Sequence, residues 1–320
     1  GDSLPVSAFE KYVDGQFEQG ASAYEKRGVA VSVPEWDVTK CIQCNQCAYV
    51  CPHATIRPFA LSAEEVAAAP EALKAKKMNG KGCEEYQFAM TVSPLDCMGC
   101  GVCVGVCPAP GKALKMVPQE TQLAQQDVFD YCVANVSKKP GMMAETTVKG
   151  SQFNQPLLEF SGSCAGCAET SYARLITQLF GERMFISNAT GCSSIWGGPA
   201  ATSPYTRNRI SGRGPAWANS LFEDNAEHGY GMYLGQKAIR DNLIAKTKEL
   251  VDSNACAELK AAAQAYLDPV DDGKANAAAT DAYVAALEAS IVTADDLAAF
   301  AGSDAGKQVF GDKAEGIAAH

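Results

Sequence analysis

Cysteine offers the most chemistry in this sequence, because eight of the 14 cysteines form an internal repeat. One run begins at Cys41 and reads Cys-Ile-Gln-Cys-Asn-Gln-Cys-Ala-Tyr-Val-Cys-Pro. The other begins at Cys97 and reads Cys-Met-Gly-Cys-Gly-Val-Cys-Val-Gly-Val-Cys-Pro. In both runs successive cysteines lie three, three and four residues apart, and a proline follows the last. This spacing is typical of bacterial proteins that bind two [4Fe-4S] clusters.

In this pattern the fourth cysteine of each run binds the cluster of the other run. The predicted ligands of cluster one are Cys41, Cys44, Cys47 and Cys107. The predicted ligands of cluster two are Cys97, Cys100, Cys103 and Cys51. Zinc is the alternative, because it also takes four thiolates. However, a zinc site needs neither three cysteines at this spacing nor a following Cys-Pro, so we favour iron and sulfur.

A third group of cysteines begins with the C-x-x-C pair Cys164 and Cys167. Apolar residues at helical spacing after this pair predict a helix that ends near Gly181 as its C′ residue. The pair would then lie at a helix N-terminus, which stabilises thiolates. Taken alone, the pair fits a redox dithiol, half of a zinc site or half of an iron–sulfur site. We favour the last because of the neighbouring repeat.

Cys192 is the candidate for a third ligand beside that pair, and a fourth ligand is then needed. Cys256 lies in an Ala-rich helical stretch, where an ordinary cysteine is the expectation. We therefore expect the fourth ligand outside these 320 residues. Cys83 and Cys132 have no evident role.

Short strands are the elements expected to hold the two cysteine runs. They are predicted at residues 29–33, 54–59, 87–92 and 113–117. Strong helix formers around one proline predict a helical insertion near residues 61–79. A linker that packs on a neighbour is predicted from residue 119 to about residue 150, with a turn at 138–141.

The second half of the sequence has an α/β character. Residues 184–188 predict a buried strand that follows the helix after Cys167, and this order is typical of a sheet with sites at the strand ends. Residues 217–250 predict one long helix, and residues 251–320 are Ala-rich and helical. Four arginines and no acidic residue occur between Arg183 and Leu221. They indicate either a solvated loop whose arginines pair with acids elsewhere or a site for an anion.

Composition excludes several classes of protein. The 27 basic and 37 acidic side chains give a net charge of −10, which argues against nucleic-acid binding. Glycine and proline interrupt the uncharged stretch at residues 184–206, so no membrane helix is expected. No signal peptide is evident, and we expect a cytoplasmic protein whose cysteines serve metal or redox chemistry rather than disulfides.

Several motifs together resemble the pyruvate:ferredoxin (flavodoxin) oxidoreductases. They are the segments 25–30, 33–36, 41–47, 51–58, 162–170 and 188–198. The resemblance extends to about Gly235. It implies oxidative decarboxylation of pyruvate on thiamine diphosphate with Mg²⁺, and transfer of the acetyl group to coenzyme A. It also implies that electrons pass through three [4Fe-4S] clusters to ferredoxin or flavodoxin, and that the enzyme is a homodimer.

The resemblance also assigns residues and domains. Cys164, Cys167 and Cys192 match ligands of the cluster nearest thiamine, and Glu169 and Cys192 match positions beside that cofactor. Residues 1–20 would be a linker from a preceding domain, and residues 21–137 an α+β bacterial ferredoxin-like domain. Residues 138–320 would be the first part of an α/β thiamine diphosphate-binding domain. No catalytic residue is assigned within the chain.

One departure from the family concerns the diphosphate. The family's Gly-Asp-Gly element with a later Asn, which holds Mg²⁺, is absent from this sequence, and Gly311-Asp312 does not supply it. We therefore expect an internal segment of a longer enzyme, with the Mg²⁺ ligands elsewhere and no activity alone. A stand-alone electron-transfer module, an enzyme for another 2-oxoacid and a structural zinc protein are the alternatives.

Overall fold

The computed structural model describes residues 2–15, 17–253, 255–290, 302–304 and 307–308. The chain divides into two units, Gly1–Gly229 and Tyr230–His320. The domain boundary predicted at residues 137/138 stays a prediction, since the unit boundary falls later.

Residues 30–118 form two small antiparallel sheets and three short helices. In chain order the elements are β1 Ser32–Trp36, α1 Gln46–Val50, β2 Ile56–Leu61, α2 Ala63–Ala67, β3 Lys76–Lys77, β4 Gln87–Val92, α3 Val102–Val106 and β5 Leu114–Pro118. One sheet pairs β1 with β5, and the other has the order β2-β4-β3. All four predicted strands are present. The first of them, β1, begins three residues later than predicted. Helices α1 and α3 lie at equivalent places in the two cysteine runs.

Apolar side chains between the two sheets form the core of this region. Trp36 of β1 and Phe88 of β4 pack edge to face with ring centroids 6.0 Å apart. Ile56, Met90 and Leu114 belong to the same buried cluster. Burial of such side chains supplies most of the driving force for folding. The cysteine loops are thus fixed to a packed core.

The predicted linker at residues 119–150 is wrong for its first part, which forms helix α4, Ala124–Asn135. Val128 and Cys132 of α4 pack on Leu61 of β2 and Ala89 of β4. The helix therefore covers the second sheet. Only the residues after Asn135 connect it to the short helix α5, Val148–Ser151.

The predicted helical insertion at residues 61–79 is confirmed only for the five residues of α2. Ser62 caps this helix, because its hydroxyl accepts from the Glu65 N–H at 3.2 Å. The helix ends before Pro70, which lacks the N–H that a helix interior requires. The remainder of the insertion forms turns and the short strand β3.

The part of the first unit after α5 contains a parallel strand pair. Its elements are α6 Ala168–Phe180, β6 Phe185–Ala189, α7 Cys192–Gly197 and β7 Ala216–Ser220. Strands β6 and β7 pair in parallel, with Phe185 opposite Ala216. The predicted helix α6 and strand β6 are both found. However, β6 is mostly accessible rather than buried, and Gly181 has a φ of −54° instead of the left-handed value that a C′ glycine adopts.

The long helix predicted at residues 217–250 begins later, because residues 216–220 form β7. Helix α8 is Asn225–Asp252. In the second unit, α9 (Ala257–Leu267) packs on α10 (Asn276–Ala289) through Tyr266 and Tyr283, whose ring centroids are 5.4 Å apart. The helical prediction for residues 291–320 lies almost wholly outside the described residues. Among the described helices, none has the length and apolar character required to cross a membrane.

Candidate metal centres

Two cavities in the ferredoxin-like region are lined by the eight cysteines of the repeat. The first cavity contains Cys41, Cys44, Cys47 and Cys107 in its lining. The second contains Cys51, Cys97, Cys100 and Cys103. Each cavity therefore receives three thiols from one run and the fourth thiol from the other. This is the reciprocal arrangement that the spacing predicts.

Left-handed backbone at matching positions of the two runs bends each loop around its cavity. Gln43 and Asn45 have φ values of 61° and 60°, and Gly99 and Gly101 have values of 69° and 73°. Only glycine adopts this conformation without steric cost. The bend also lets a backbone N–H reach the first thiol of each run, from Gln43 to Cys41 Sγ at 3.4 Å and from Gly99 to Cys97 Sγ at 3.4 Å.

Side-chain hydrogen bonds hold the first loop in this conformation, although its left-handed residues are not glycines. The Gln43 amide donates to the carbonyl of Lys77 at 2.8 Å and accepts from the Asn79 N–H at 2.7 Å. The Asn45 amide donates to the carbonyl of Lys149 at 2.9 Å. Both side chains are buried. The insertion and α5 thus stabilise the loop of cluster one.

The Cys-Pro pair at the end of each run directs the fourth thiol away from its own loop. Cys51 and Cys107 end α1 and α3 with extended backbone, at ψ values of 117° and 116°. A residue before proline is restricted to this region by contact with the proline ring. The N–H of Ala113 donates to Cys107 Sγ at 3.3 Å. Proline therefore explains the exchange of ligands between the runs.

Burial and neighbouring thiols raise the pKa of Cys47, Cys97 and Cys103. Burial raises the pKa of Cys97 to about 12, with smaller contributions from Cys51 and Cys100. Burial also raises the pKa of Cys47 well above its usual value. Without a metal these thiols stay protonated at neutral pH, whereas coordination to a cationic centre removes the proton. Thiolate formation in these cavities is thus coupled to metal binding.

The way in which the thiols are shared between two cavities favours a cluster over a single ion. Zinc draws four thiolates to about 2.3 Å from one point. Within the described part of the chain, no group of three or more Cys, His, Asp or Glu side chains is close enough to hold one metal ion. The eight thiols surround two cavities instead. The donor set and its spacing fit a [4Fe-4S] centre better than zinc.

The C-x-x-C loop lies against the second cavity, at the start of α6. Cys167 is the N-cap residue of α6, and its N–H donates to the carbonyl of Cys164 at 3.1 Å. Burial opposes ionisation of Cys167, but hydrogen bonds from Thr170 and Glu169 lower the pKa of its thiol. A Cβ placed on Gly166 would lie only 3.6 Å from Cys100 Cβ. The loop is therefore a direct neighbour of cluster two.

His53 links these two sites, and no motif in the sequence singled it out. It is buried and lines the second cavity. Nε2 lies 3.2 Å from the carbonyl oxygen of Cys164, and Nδ1 lies 3.3 Å from the Ser161 hydroxyl. Nδ1 also lies 3.1 Å from the carbonyl oxygen of Ser161. Burial lowers the pKa of His53, which favours the neutral ring, and that ring has one N–H to donate to one of the two carbonyl oxygens. Its place two residues after Cys51 is the only sequence signal for this contact.

The other predicted site residues lie at helix starts. Cys192 is the first residue of α7, and Glu169 is in the first turn of α6; both are exposed. The described residues contain no group that joins Cys192 to Cys164 and Cys167 at metal-binding distance. The third site and the thiamine contacts therefore stay predictions. Cys256 is the exposed N-cap residue of α9.

Buried packing accounts for the two remaining cysteines. Cys83 belongs to the core cluster between the sheets, and Cys132 belongs to the core under α4. Both are fully inaccessible, and burial raises the pKa of Cys132 to about 12. Such thiols behave as small apolar side chains.

A separate cavity of about 340 Å³ has a partly basic lining. Its cationic groups are Arg57, Lys138, Lys139 and Arg209. Arg57 pairs with Glu159, and Lys139 pairs with Glu65 at 2.7 Å. Arg209 donates to the carbonyl of Val133. Of the four arginines of residues 183–221, only Arg209 lines this cavity, and it contacts a backbone carbonyl rather than an acid, so both interpretations of that segment stay predictions.

Two family models match the chain. Residues 40–110 match a family described as a 4Fe-4S dicluster domain, which agrees with the two cysteine-lined cavities. Residues 1–30 match a family described only as a domain of unknown function. The first match covers both cysteine runs, so it supports iron–sulfur clusters in a mixed α/β structure.

Longer proteins share high identity with this chain. It is 54% identical over 278 residues to a pyruvate-flavodoxin oxidoreductase of Enterobacter agglomerans, covering 86% of this chain and 23% of that protein. It is 52% identical over 272 residues to a pyruvate:ferredoxin oxidoreductase of Moorella thermoacetica, covering 85% of this chain and 23% of that protein. A pyruvate dehydrogenase [NADP(+)] of Cryptosporidium parvum is 50% identical over 254 residues, which are 79% of this chain and 13% of that protein.

These matches extend well beyond the cysteine runs into the region of α6 and the parallel strands. The chain spans 23% of the length of the first two relatives that it matches. Over that share, the chain is similar to a segment of the pyruvate-flavodoxin and pyruvate:ferredoxin oxidoreductases.

Proposed function

We propose that this chain carries the electron path, and part of the thiamine diphosphate site, of an enzyme that oxidises pyruvate to acetyl-coenzyme A and CO₂. The observation that carries the proposal is the exchange of Cys51 and Cys107 between two cysteine-lined cavities. That arrangement suits two clusters between which electrons pass one at a time. The names of the relatives supply pyruvate, ferredoxin and flavodoxin as the substrate and acceptors.

The order of the sites supports electron flow from the third site to cluster two and then to cluster one. The C-x-x-C loop contacts the loop of cluster two through Gly166 and Cys100. His53 spans the same gap by its hydrogen bond to Cys164. Helices α1 and α3 then join cluster two to cluster one, since each ends in the cysteine that the other loop needs.

The third cluster and the thiamine site complete the proposal. Cys164, Cys167 and Cys192 supply three ligands of a third [4Fe-4S] cluster, and Glu169 and Cys192 lie beside thiamine. Thiamine diphosphate would supply the stabilised carbanion needed for loss of CO₂ from a 2-oxoacid. The exposed N-termini of α6 and α7 carry the residues concerned, and helix N-termini favour anionic groups. The Mg²⁺ ligands, the fourth cluster ligand and the coenzyme A site lie elsewhere in this proposal, and the assembly is a cytoplasmic homodimer.

Iron analysis and spectroscopy of the whole protein, purified anaerobically, test this function. Three clusters correspond to about 12 iron atoms per chain and two clusters to about eight. We expect about 12 iron atoms, a visible absorption that dithionite bleaches, and an EPR signal that appears on addition of pyruvate and thiamine diphosphate. Zinc in place of iron, or no spectral response to pyruvate, contradicts the proposal.

A stand-alone electron-transfer module is the second candidate. It is favoured by one observation: the eight cysteines of the repeat line two cavities, whereas Cys164, Cys167 and Cys192 line neither of them. About eight iron atoms per chain with reversible reduction and no response to pyruvate would identify this module.

A further inference from the structure

The Glu25-Lys26-Arg27 segment lies across the gap between cluster two and the C-x-x-C loop. It belongs to residues 1–30, whose family model carries no function. The segment follows a left-handed turn, since Lys26 and Gly28 have φ values of 43° and 60°. A non-glycine residue rarely adopts this conformation unless its surroundings impose it. The contacts of the segment show what imposes it.

On one side, the segment packs on the loop of cluster two. The Gly28 N–H donates to the carbonyl of Leu95 at 2.8 Å. A Cβ on Gly99 would lie 3.0 Å from the Ser32 carbonyl oxygen and 3.2 Å from Ala30 Cβ. Ala30 also forms a buried cluster with Cys97, the first ligand of cluster two. The N-terminal segment is therefore a wall of that site.

Lys26 makes the central ionic contact. Its Nζ lies 2.6 Å from Oδ2 of Asp96, the residue directly before Cys97. The Asp96 side chain is 2% exposed, and the Ser93 hydroxyl donates to the same oxygen at 2.7 Å. The ammonium also lies 5.1 Å from the Phe160 ring centroid. Asp130, at 3.6 Å and half exposed, is the second acidic group near Lys26.

On the other side, the segment contacts the chain that leads to the C-x-x-C loop. A Cβ on Gly162 would lie 3.5 Å from Arg27 Nη2, so the guanidinium covers the backbone two residues before Cys164. Arg27 also pairs with Glu25. Ser22 anchors this side, because its hydroxyl donates to the carbonyl of Glu159 at 2.8 Å.

The geometry points to Lys26 as a positioning residue of the electron path, which neutralises the buried carboxylate beside cluster two and thereby sets the reduction potential of that cluster. This inference rests on the proposed function. Reduction of a cluster adds one negative charge, and the net charge around a cluster is one determinant of its potential. An unpaired carboxylate one residue from a ligand opposes that added charge, and a partly buried pair is screened less than an exposed one. The positive charge of Lys26 offsets the negative charge of Asp96 and so removes its effect on reduction of the cluster.

Two substitutions of opposite sign test the inference in the whole protein. Lys26→Met leaves Asp96 unpaired, and we expect the potential of cluster two to fall. Asp96→Asn leaves Lys26 unpaired, and we expect the potential to rise. We expect each change to alter the oxidised-to-reduced ratio at fixed potential about tenfold, which is 59 mV for one electron. EPR-monitored redox titration measures it, and Cys100→Ser assigns the signal of cluster two.

Three further variants exclude a merely structural effect. Lys26→Arg keeps the positive charge, so we expect the reduction potential of cluster two to equal that of the parental protein. The double variant Lys26→Met/Asp96→Asn removes both charges and also returns the potential towards the parental value. Lys40→Met is the matched control, because Lys40 directly precedes Cys41 of cluster one but is 51% exposed and pairs only with exposed Asp37. It leaves the potential of cluster two unchanged.

The outcomes separate this inference from the proposed function. Iron content is measured for every variant, so loss of a cluster is not read as a change in potential. If Lys26→Met and Asp96→Asn keep their iron and shift the potential in the same direction or not at all, the inference is wrong. A parental protein without clusters would instead contradict the proposed function.

Discussion

His53 Nε2 lies 3.2 Å from the carbonyl oxygen of Cys164, so one buried ring joins the loop of cluster two to the C-x-x-C loop. Replacing His53 with Ala removes one hydrogen bond from that carbonyl, which still accepts from the Cys167 N–H, and removes the contact with the Ser161 hydroxyl, which keeps Ser163 as a partner. A hydrogen bond of this kind contributes about 0.5–1.5 kcal/mol. We expect His53→Ala to lower the free energy of unfolding by that amount and to slow reduction of cluster two.

Chemical denaturation and stopped-flow absorption measure the two effects. His53→Gln is the matched variant, because its amide can donate to Cys164 and accept from Ser161. We expect it to recover most of the stability. Equal behaviour of His53→Ala and the parental protein in both measurements would show that the hydrogen bond has no role.

The exchange of ligands predicts which cluster each fourth cysteine serves. Cys107→Ser should perturb cluster one, and Cys51→Ser should perturb cluster two, although each cysteine lies in the other run. EPR spectra of the reduced proteins and iron analysis check this, with a loss of up to about four iron atoms in each variant. Cys256→Ser is the control, since Cys256 is exposed and lies outside both cavities. Perturbation of the cluster within the same run would refute the assignment.

Gly99 and Gly101 allow a test of the loop geometry with a matched pair of substitutions. Both have left-handed backbone, so alanine costs about 1–2 kcal/mol at either position. At Gly99 the added Cβ also lies 3.0 Å from the Ser32 carbonyl, whereas at Gly101 it has no neighbour within 4 Å. We expect Gly99→Ala to lose iron from cluster two and Gly101→Ala to retain it. Iron analysis decides this, and equal retention by both variants would argue against the close contact with Ser32.

Glu65 predicts a dependence of stability on pH. Burial opposes its ionisation, but hydrogen bonds from Lys139, Ser62 and Ser137 outweigh burial and lower the pKa of Glu65 below 4.5. Because the folded state holds the ionised form, this stabilisation is complete above pH 4.5. It is lost as the pH falls through the lower pKa of the folded state.

Glu65→Gln should remove this dependence and cost about 1 kcal/mol at neutral pH through loss of the Lys139 ion pair, whereas the Ser62 cap is kept. The variant and the parental chain are compared by their denaturation midpoints between about pH 3 and pH 7. This range brackets the usual pKa of a glutamate carboxyl group. Glu64→Gln is the control, since Glu64 is exposed on the same helix. Parallel pH curves for the parental chain and Glu65→Gln would show that Glu65 titrates normally.

The cysteine sites could be predicted because their geometry is local. Intervals of three and four residues fix which thiols share a loop, and Pro52 and Pro108 fix where the fourth thiol points. The strands were predictable for the same reason, since β2 and β4 are short apolar runs. The contact between His53 and Cys164 was not, because it joins residues 111 positions apart.

The sequence of helix α4 contains apolar residues at a spacing that favours a helix. Val128 and Cys132 are four residues apart and form its buried face. Helix α2 shows the opposite error: its alanines favour a helix, but the helix buries no side chain and Pro70 ends it. Propensity alone was too weak to extend it.

The exchange of Cys51 and Cys107 also orders the events of biosynthesis. The ribosome completes the set for cluster two only at Cys103 and the set for cluster one only at Cys107. A nascent chain that ends between the two runs therefore holds incomplete sets for both cofactors. Iron insertion must then follow translation of the second run. The two ligand sets become complete within four residues of each other, rather than one well before the other along the chain.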